Sequence, residues 1–130
     1  MIALLLFAAA MSPADEGYDR CMETAVTNPD FVDCGMGLLD RRDAELNRAW
    51  KAAWAALDKP TQAELLAEQR LWLAFRDKSC GYWRTGAFGR DGQTVHFYTC
   101  RAGVIDARIE YLEAIGDDGV PDGEASSGNE

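Results

Sequence analysis

The sequence predicts an all-α fold, a small antiparallel three-helix bundle held together by two disulfides. Apolar residues recur at helical spacing in three segments, and only a short break separates the first two segments. Four cysteines are present, an even number that suits two disulfide bonds. The chain has 130 residues, enough for one small domain whose modest core gains stability from covalent cross-links.

The first predicted helix runs from Phe31 to Asp58. Its apolar residues follow an alternating spacing of three and four, and the position that interrupts this rhythm is Asp43. The segment Lys59-Pro60-Thr61 then ends the helix, because proline suits the first turn of a new helix and not the interior of an old one. The apolar series consists of Met36, Leu39, Leu46, Trp50, Ala53 and Leu57.

The second predicted helix spans about Thr61 to Lys78, and the third spans about Val95 to Ile115. Each carries polar residues on its otherwise apolar side: Gln69 and Arg76 on the second helix, and Arg108 on the third. Polar residues at such positions are expected to be paired, because an unpaired buried charge is costly.

A break this short predicts that the first two helices form an antiparallel hairpin. In such a hairpin Asp43 faces Arg76, so two opposite charges that each interrupt an apolar side meet one another. We expect a half-buried ion pair between them. Asn47, Gln69 and Arg108 are expected to add hydrogen bonds to this pair. Its expected role is to fix the register of the helices, with a ligand site as the alternative.

The cysteines are expected to form disulfides and not a metal site. No two of them have the CxxC spacing, and a single histidine leaves zinc short of ligands. The helical model places Cys34, Cys80 and Cys100 at one end of the bundle, within reach of Cys21. We therefore predict Cys21–Cys34 and Cys80–Cys100, with Cys34–Cys80 as the alternative bridge. Each disulfide should contribute roughly 2–4 kcal/mol.

Both ends of the chain are predicted to lie outside the folded domain, which then spans residues 15–115. Residues 1–14 form a short apolar run followed by small residues, which is typical of a signal peptide, although the usual basic residues are missing; a buried N-terminal helix is the alternative.

Residues 116–130 contain five acidic residues and no basic one, which predicts a disordered acidic tail. The spacing of its aspartates does not fit a calcium loop. We expect no metal and no cofactor.

The charge balance argues against two classes of partner. Lysine and arginine total 13 against 22 aspartate and glutamate residues, for a formal net charge of -9. Proteins that bind nucleic acids or anionic membranes normally carry the opposite balance. No lipid-attachment motif precedes Cys21, so no membrane anchor is expected.

Residues spread along the three predicted helices form a sequence pattern. They are Cys34, Asp43-Ala44-Glu45-Leu46-Asn47, Trp50, Gln69-Arg70-Leu71-Trp72, Phe75-Arg76-Asp77, Cys80, Cys100, Arg108 and Leu112. This pattern resembles a known family, the lysozyme inhibitor LprI N-terminal domain family. The match covers about residues 21 to 115, with Trp50 where the family pattern usually has tyrosine. The resemblance implies a helical, disulfide-bonded domain of the bacterial periplasm or cell envelope, whose name derives from a lipoprotein said to inhibit lysozyme.

From these observations we predict an exported, non-enzymatic protein that binds another protein. The resemblance supplies a basic c-type lysozyme as the candidate partner, and an acidic protein would attract it over a long range.

The segment Gly81 to Gln93 contains four glycines and predicts a long loop. Its residues Tyr82, Trp83, Arg84 and Phe88 are of types enriched at interfaces, so this loop is the predicted contact surface. The alternative is that Trp83 and Phe88 fold back onto the core.

Two other functions are weighed beside protein binding. A hydrolase would use carboxylates such as Asp43, Glu45, Glu64 and Glu68 as acid and base, but carboxylates at helical spacing are more often a solvated helix face. A structural protein of the envelope would act as an oligomer, and an exposed apolar stripe beside Trp54 would favour it. The sequence leaves the oligomeric state open.

Overall fold

The computed structural model describes residues 15–118, and every regular element in that range is helical. The predicted all-α class is therefore confirmed for the described residues. The predicted signal peptide and residues 119–130 of the predicted tail lie outside them. In chain order the elements are α1 (Glu16–Thr24), α2 (Asn28–Ala55), α3 (Lys59–Lys78), a 3-10 turn (Gly81–Arg84), α4 (Gly89–Asp91), a π-helical turn (Gly92–His96) and α5 (Phe97–Asp118).

Capping side chains set where α2 and α3 begin. Thr27 and Asp30 form a capping box at the start of α2, which is why this helix begins before the predicted Phe31. The carboxylate of Asp58 accepts a hydrogen bond from the backbone N–H of Thr61 at 3.0 Å. The sequence had predicted that the first long helix ends at Asp58, but α2 ends at Ala55 and Asp58 is the N-cap of α3.

A helix not predicted from the sequence, α1, precedes α2. Its N-cap is Asp15, whose side chain accepts a hydrogen bond from the backbone N–H of Tyr18 at 2.7 Å. The same carboxylate binds the guanidinium of Arg41 on α2, with the two nitrogen–oxygen contacts to its Oδ1 at 2.8 and 3.1 Å. The cap, this ion pair and the Cys21–Cys34 disulfide fix α1 on α2.

The last helix extends farther than predicted. α5 continues through Gly116 to Asp118, so the predicted tail does not begin at residue 116. The reason is the packing of Gly116: a Cβ atom at this position would lie 3.7 Å from the backbone nitrogen of Ala53. The chain therefore stays against α2 for a further turn.

The closest pair of helices is α2 and α5, which run parallel. Gly35 lies against Tyr98 near the start of both helices, and Arg42 meets Asp106 about two turns later, at 3.2 Å between Nε and Oδ1. A Cβ atom at Gly35 would lie 2.3 Å from Cγ of Tyr98, so only glycine allows this approach. The sequence had predicted the α2–α3 hairpin as the main pair. The hairpin forms, but its helices lie farther apart.

Helix α3 runs antiparallel to both neighbours and completes the main core. Arg101 near the start of α5 donates to the carbonyl oxygen of Asp77 near the end of α3, at 3.0 Å. The buried residues of the main core come from all three helices: Leu46, Ala49, Ala53, Leu65, Ile105, Ile109 and Leu112. A second, smaller core of Cys80, Phe97 and Tyr98 lies where α3 ends and α5 begins.

Both disulfides pair as the sequence favoured. Cys21 bonds to Cys34 and Cys80 bonds to Cys100, with Cα–Cα distances of 5.6 and 5.9 Å. The alternative bridge between Cys34 and Cys80 is therefore excluded. No cysteine of the described chain remains free.

Candidate functional site

The first candidate site is the disulfide loop, Gly81–His96, which the Cys80–Cys100 bond closes. Three of its glycines have conformations or neighbours that require glycine. Gly86 and Gly89 have positive φ angles of 94° and 69°. Gly92 is buried, and a Cβ atom there would lie 2.6 Å from the carbonyl oxygen of Trp83. The glycines that predicted a long loop thus belong to a folded segment that includes a 3-10 turn and α4.

The aromatic residues of the disulfide loop form one cluster. The ring centre of Trp83 lies 4.4 Å from that of Phe88 and 4.8 Å from that of His96. Trp83 packs against the smaller core, so the alternative in which it folds back is the correct one for this residue. Tyr82 and Phe88 remain 57% and 50% exposed. The cluster therefore has an inner tryptophan and an outer surface of two aromatic rings.

Two arginines of the loop carry the charge of this surface. The guanidinium carbon of Arg84 lies 3.3 Å from the ring centre of Phe97, whereas Arg90 is exposed on α4. Within residues 15–118 neither arginine has a carboxylate at salt-bridge distance. Arg101 also lies over Phe97, at 4.5 Å, and burial together with the nearby charge of Arg84 lowers the pKa of Arg101. The disulfide loop thus carries two arginines and one acidic residue, Asp91, and Arg101 adds a third cation beside it.

The second candidate site is a groove of about 420 Å³ between α2 and α3. It brings together four residues that the sequence singled out, namely Asp43, Asn47, Gln69 and Arg76. Asp43 and Arg76 form an ion pair with 3.7 Å between Oδ1 and Nη1, and both side chains are partly exposed. Arg76 also donates to the carboxylate of Asp77 on its own helix, at 3.2 Å.

The expected hydrogen bonds around this ion pair do not form. The side chain of Asn47 is exposed and has no hydrogen-bond partner in the described part of the chain. Gln69 lines the groove, but its side-chain oxygen accepts from Arg108 at 2.9 Å and not from Arg76. We had predicted hydrogen bonds to the Asp43–Arg76 pair from Asn47, Gln69 and Arg108, and this prediction is wrong. The amide oxygen of Gln69 binds the guanidinium of Arg108 instead, because a buried cation is the stronger partner for it.

Arg108 instead forms a separate ion pair with Glu68. Its guanidinium binds both carboxylate oxygens of Glu68, one of them at 2.7 Å, and Arg108 is only 4% exposed. The rings of Trp72 and Tyr111 lie 5.3 and 4.8 Å from the guanidinium carbon. From the sequence, Glu68 was named only as a candidate carboxylate of the hydrolase alternative. Its pairing with Arg108 could not be predicted, because it depends on the register between α3 and α5.

Three of the four carboxylates named for that alternative face arginines, and the fourth, Glu64, has no ion-pair partner in the described chain. Glu45 binds Arg42 at 3.0 Å, as Asp43 binds Arg76 and Glu68 binds Arg108. Burial raises the pKa of Asp106, which shares Arg42 with Glu45. Arg42 stands between these two carboxylates, so the cluster links α2 to α5 and resembles a structural ion-pair network.

Comparisons with known proteins agree with the resemblance seen in the sequence. A family model described as "Lysozyme inhibitor LprI" matches residues 21–112. The matched span contains both disulfides, the groove between α2 and α3, and the whole disulfide loop. No curated protein and no solved structure matches the chain. Within residues 15–118, no helix has the length and apolar character needed to cross a membrane.

Proposed function

The chain belongs to the lysozyme inhibitor LprI family, and we propose that it is an exported bacterial envelope protein that binds and inhibits a basic c-type lysozyme. The family is named for inhibitors, which supports a protein partner and a non-enzymatic role. Disulfides are typical of proteins that reach an oxidising compartment such as the periplasm, and all cysteines of the described chain are paired. The presence of disulfides and the pairing of all these cysteines both support export.

The observation that carries the proposal is the disulfide loop. Tyr82 and Phe88 present half-exposed rings on a segment fixed by the Cys80–Cys100 bond and by the half-buried ring of Trp83. Aromatic and arginine side chains dominate the energetics of many interfaces. A segment that is already ordered loses little conformational entropy on binding.

The charges of the loop suit the catalytic cleft of a lysozyme. Glycoside hydrolases of this kind use a pair of carboxyl groups that flank the bond to be cleaved. Arg84 and Arg90 lack carboxylate partners in the described chain and have N–H groups for such a pair, with Tyr82 and Phe88 packing on the walls of the cleft. The acidic remainder of the protein would speed the encounter with a basic partner.

The direct test is lysis of bacterial cell walls by a hen-type lysozyme, titrated with the purified, disulfide-bonded chain. We expect lysis to fall as the molar ratio approaches one, and the inhibition to weaken as ionic strength rises. The same chain after reduction and alkylation is the control, because it lacks the closed loop. Undiminished lysis at a several-fold molar excess of the oxidised chain would contradict the proposal.

A further inference from the structure

The large apolar residues that are exposed in the described chain include neither Trp54 nor a residue next to it in the sequence. That residue is half-buried and its ring stacks on Trp50, with 5.6 Å between ring centres. Two large apolar side chains are instead exposed on the outer side of α3, Leu71 at 75% and Phe75 at 59%. An apolar stripe on an outward helix face indicates a surface that another protein covers.

These two residues are part of a longer stripe on α3. Five exposed residues alternate at spacings of four and three, which places them on one side of the helix. The stripe has acidic residues at its start, apolar residues in the middle and a basic residue at its end. Its members are Glu64, Glu68, Leu71, Phe75 and Lys78.

An apolar groove of about 530 Å³ lies beside the stripe, between α3 and α5. Trp72, Phe75 and Tyr111 line it together with the small residues Gly103 and Ala107. A Cβ atom at Gly103 would have no neighbour within 4 Å, so this part of the groove is open. The groove has room for apolar side chains that come from outside the chain.

We propose that the α3 stripe and this groove bind a second copy of the chain, with the two α3 helices antiparallel about a two-fold axis at Leu71. A two-fold interface requires a surface that is complementary to itself. Glu64 and Lys78 are equally far from Leu71 along the helix, so each glutamate meets the lysine of the other copy. In the same register Phe75 faces Ala67, which places a large residue against a small one.

The order of charges is what selects a second copy over another protein. Glu64 and Lys78 have no ion-pair partner in the described chain. In the antiparallel dimer each of them gains one partner on the other copy, which makes two Glu64–Lys78 pairs. The apolar centre, Leu71 with Phe75, would then be covered on both copies at once. This inference does not rest on lysozyme binding, and the dimer is measured in the absence of lysozyme.

The first measurement is sedimentation equilibrium of the purified full chain over micromolar to submillimolar concentrations. We expect a reversible dimer, and we expect Leu71→Glu to be monomeric throughout. Val26→Glu is the matched control, because Val26 is also an exposed apolar residue, at 81%, but lies between α1 and α2. Circular dichroism and thermal unfolding should show that both variants fold. A wild-type chain that stays monomeric throughout, or a dimer that persists in Leu71→Glu, would overturn the inference.

The second measurement tests the register by exchanging charges. Lys78→Glu and Glu64→Lys should each raise the dimer dissociation constant roughly tenfold, because each change replaces two attractive pairs with two repulsive ones. The double variant should return to within about threefold of wild type. A double variant as weak as the single ones would exclude this register. If the wild type is monomeric but Leu71→Glu abolishes lysozyme inhibition, the face belongs to lysozyme and the dimer is ruled out.

Discussion

Arg84 lies with its guanidinium carbon 3.3 Å from the centre of the Phe97 ring. Phe97 is almost fully buried, whereas Arg84 is exposed, so this contact connects the surface of the disulfide loop to the smaller core. Stacking fixes the plane of a guanidinium while the N–H groups at its edge stay available for a carboxylate. Arg84 is thus held in place before any partner arrives.

Replacing Arg84 tests whether that arrangement serves inhibition. We expect Arg84→Ala to weaken lysozyme inhibition at least tenfold, measured as the inhibitor concentration that halves lysis, because a charge-assisted bidentate contact is lost. Arg84→Lys should not restore it, since an ammonium group neither stacks nor forms a bidentate contact in the same way. Arg48→Ala changes an exposed arginine on α2 and should inhibit like wild type. Full inhibition by Arg84→Ala would remove this residue from the interface.

The aromatic residues of the loop should separate into two classes. Phe88→Ala and Tyr82→Ala are expected to weaken inhibition while the free energy of unfolding falls by less than about 1.5 kcal/mol, because both side chains are half exposed. Trp83→Ala should instead destabilise the chain by about 2–3 kcal/mol, since Trp83 packs on the core. Urea unfolding and lysis assays on the same preparations distinguish the two effects. A stable Trp83→Ala chain would show that the ring is not part of the core.

Gly35 and Gly37 form a matched pair for testing the contact between α2 and α5. Gly35→Ala should destabilise the chain by about 1–3 kcal/mol, because the new Cβ atom would overlap the ring of Tyr98. Gly37→Ala meets only the flexible end of Arg41 and should stabilise α2 by up to about 1 kcal/mol. Urea unfolding of both variants gives the comparison. Equal effects of the two substitutions would mean that α2 and α5 are not this close.

The Glu68–Arg108 pair should matter more than the exposure of Glu68 suggests. Glu68→Ala leaves Arg108 buried with only Gln69 as a partner, so we expect a loss of about 2–4 kcal/mol in the free energy of unfolding. Arg108→Met should cost less, because it fills the space and releases Glu68 to solvent. Glu113→Ala, at an exposed position on α5, should change stability by less than about 0.5 kcal/mol. Similar losses for Glu68→Ala and Glu113→Ala would contradict the pairing.

Acid should loosen the attachment of α1. Hydrogen bonding to Arg41 holds the pKa of Asp15 below its ordinary value of 3.8. A carboxyl group whose pKa is lower in the folded state stabilises the fold fully above its ordinary pKa, and this contribution is lost as pH falls through the lower folded value. Asp15→Asn should therefore lower the unfolding temperature at pH 7, and the gap to wild type should close as pH falls below the ordinary pKa of 3.8. A gap that stays constant with pH would rule out this ion pair.

The sequence was sufficient to predict contacts that depend on neighbouring elements of the chain. Asp43 and Arg76 could be paired because a short break fixes the hairpin register, and both residues interrupt apolar sides. The cysteine pairs followed from the same reasoning. Each of these predictions needed only the order of elements and the length of one turn.

Contacts between α5 and the other helices were beyond such reasoning. The partner of Arg108 depends on the register between α3 and α5, which a long connecting segment does not fix. The parallel packing of α2 and α5 depends on Gly35, and the only sequence signal was a glycine inside a helix. Stacking of Arg84 on Phe97 likewise required the path of the disulfide loop.

The parallel arrangement of α2 and α5 has a consequence for the order in which the chain folds. Gly35 and Tyr98 are on the order of sixty residues apart, and contacts between such distant residues close slowly. The disulfides join residues only 13 and 20 positions apart, and neither links α2 to α5. We therefore expect both cross-links to form while the helices are still assembling. Docking of α5 on α2 would then be the late, rate-limiting step, because no disulfide holds these two helices close to each other.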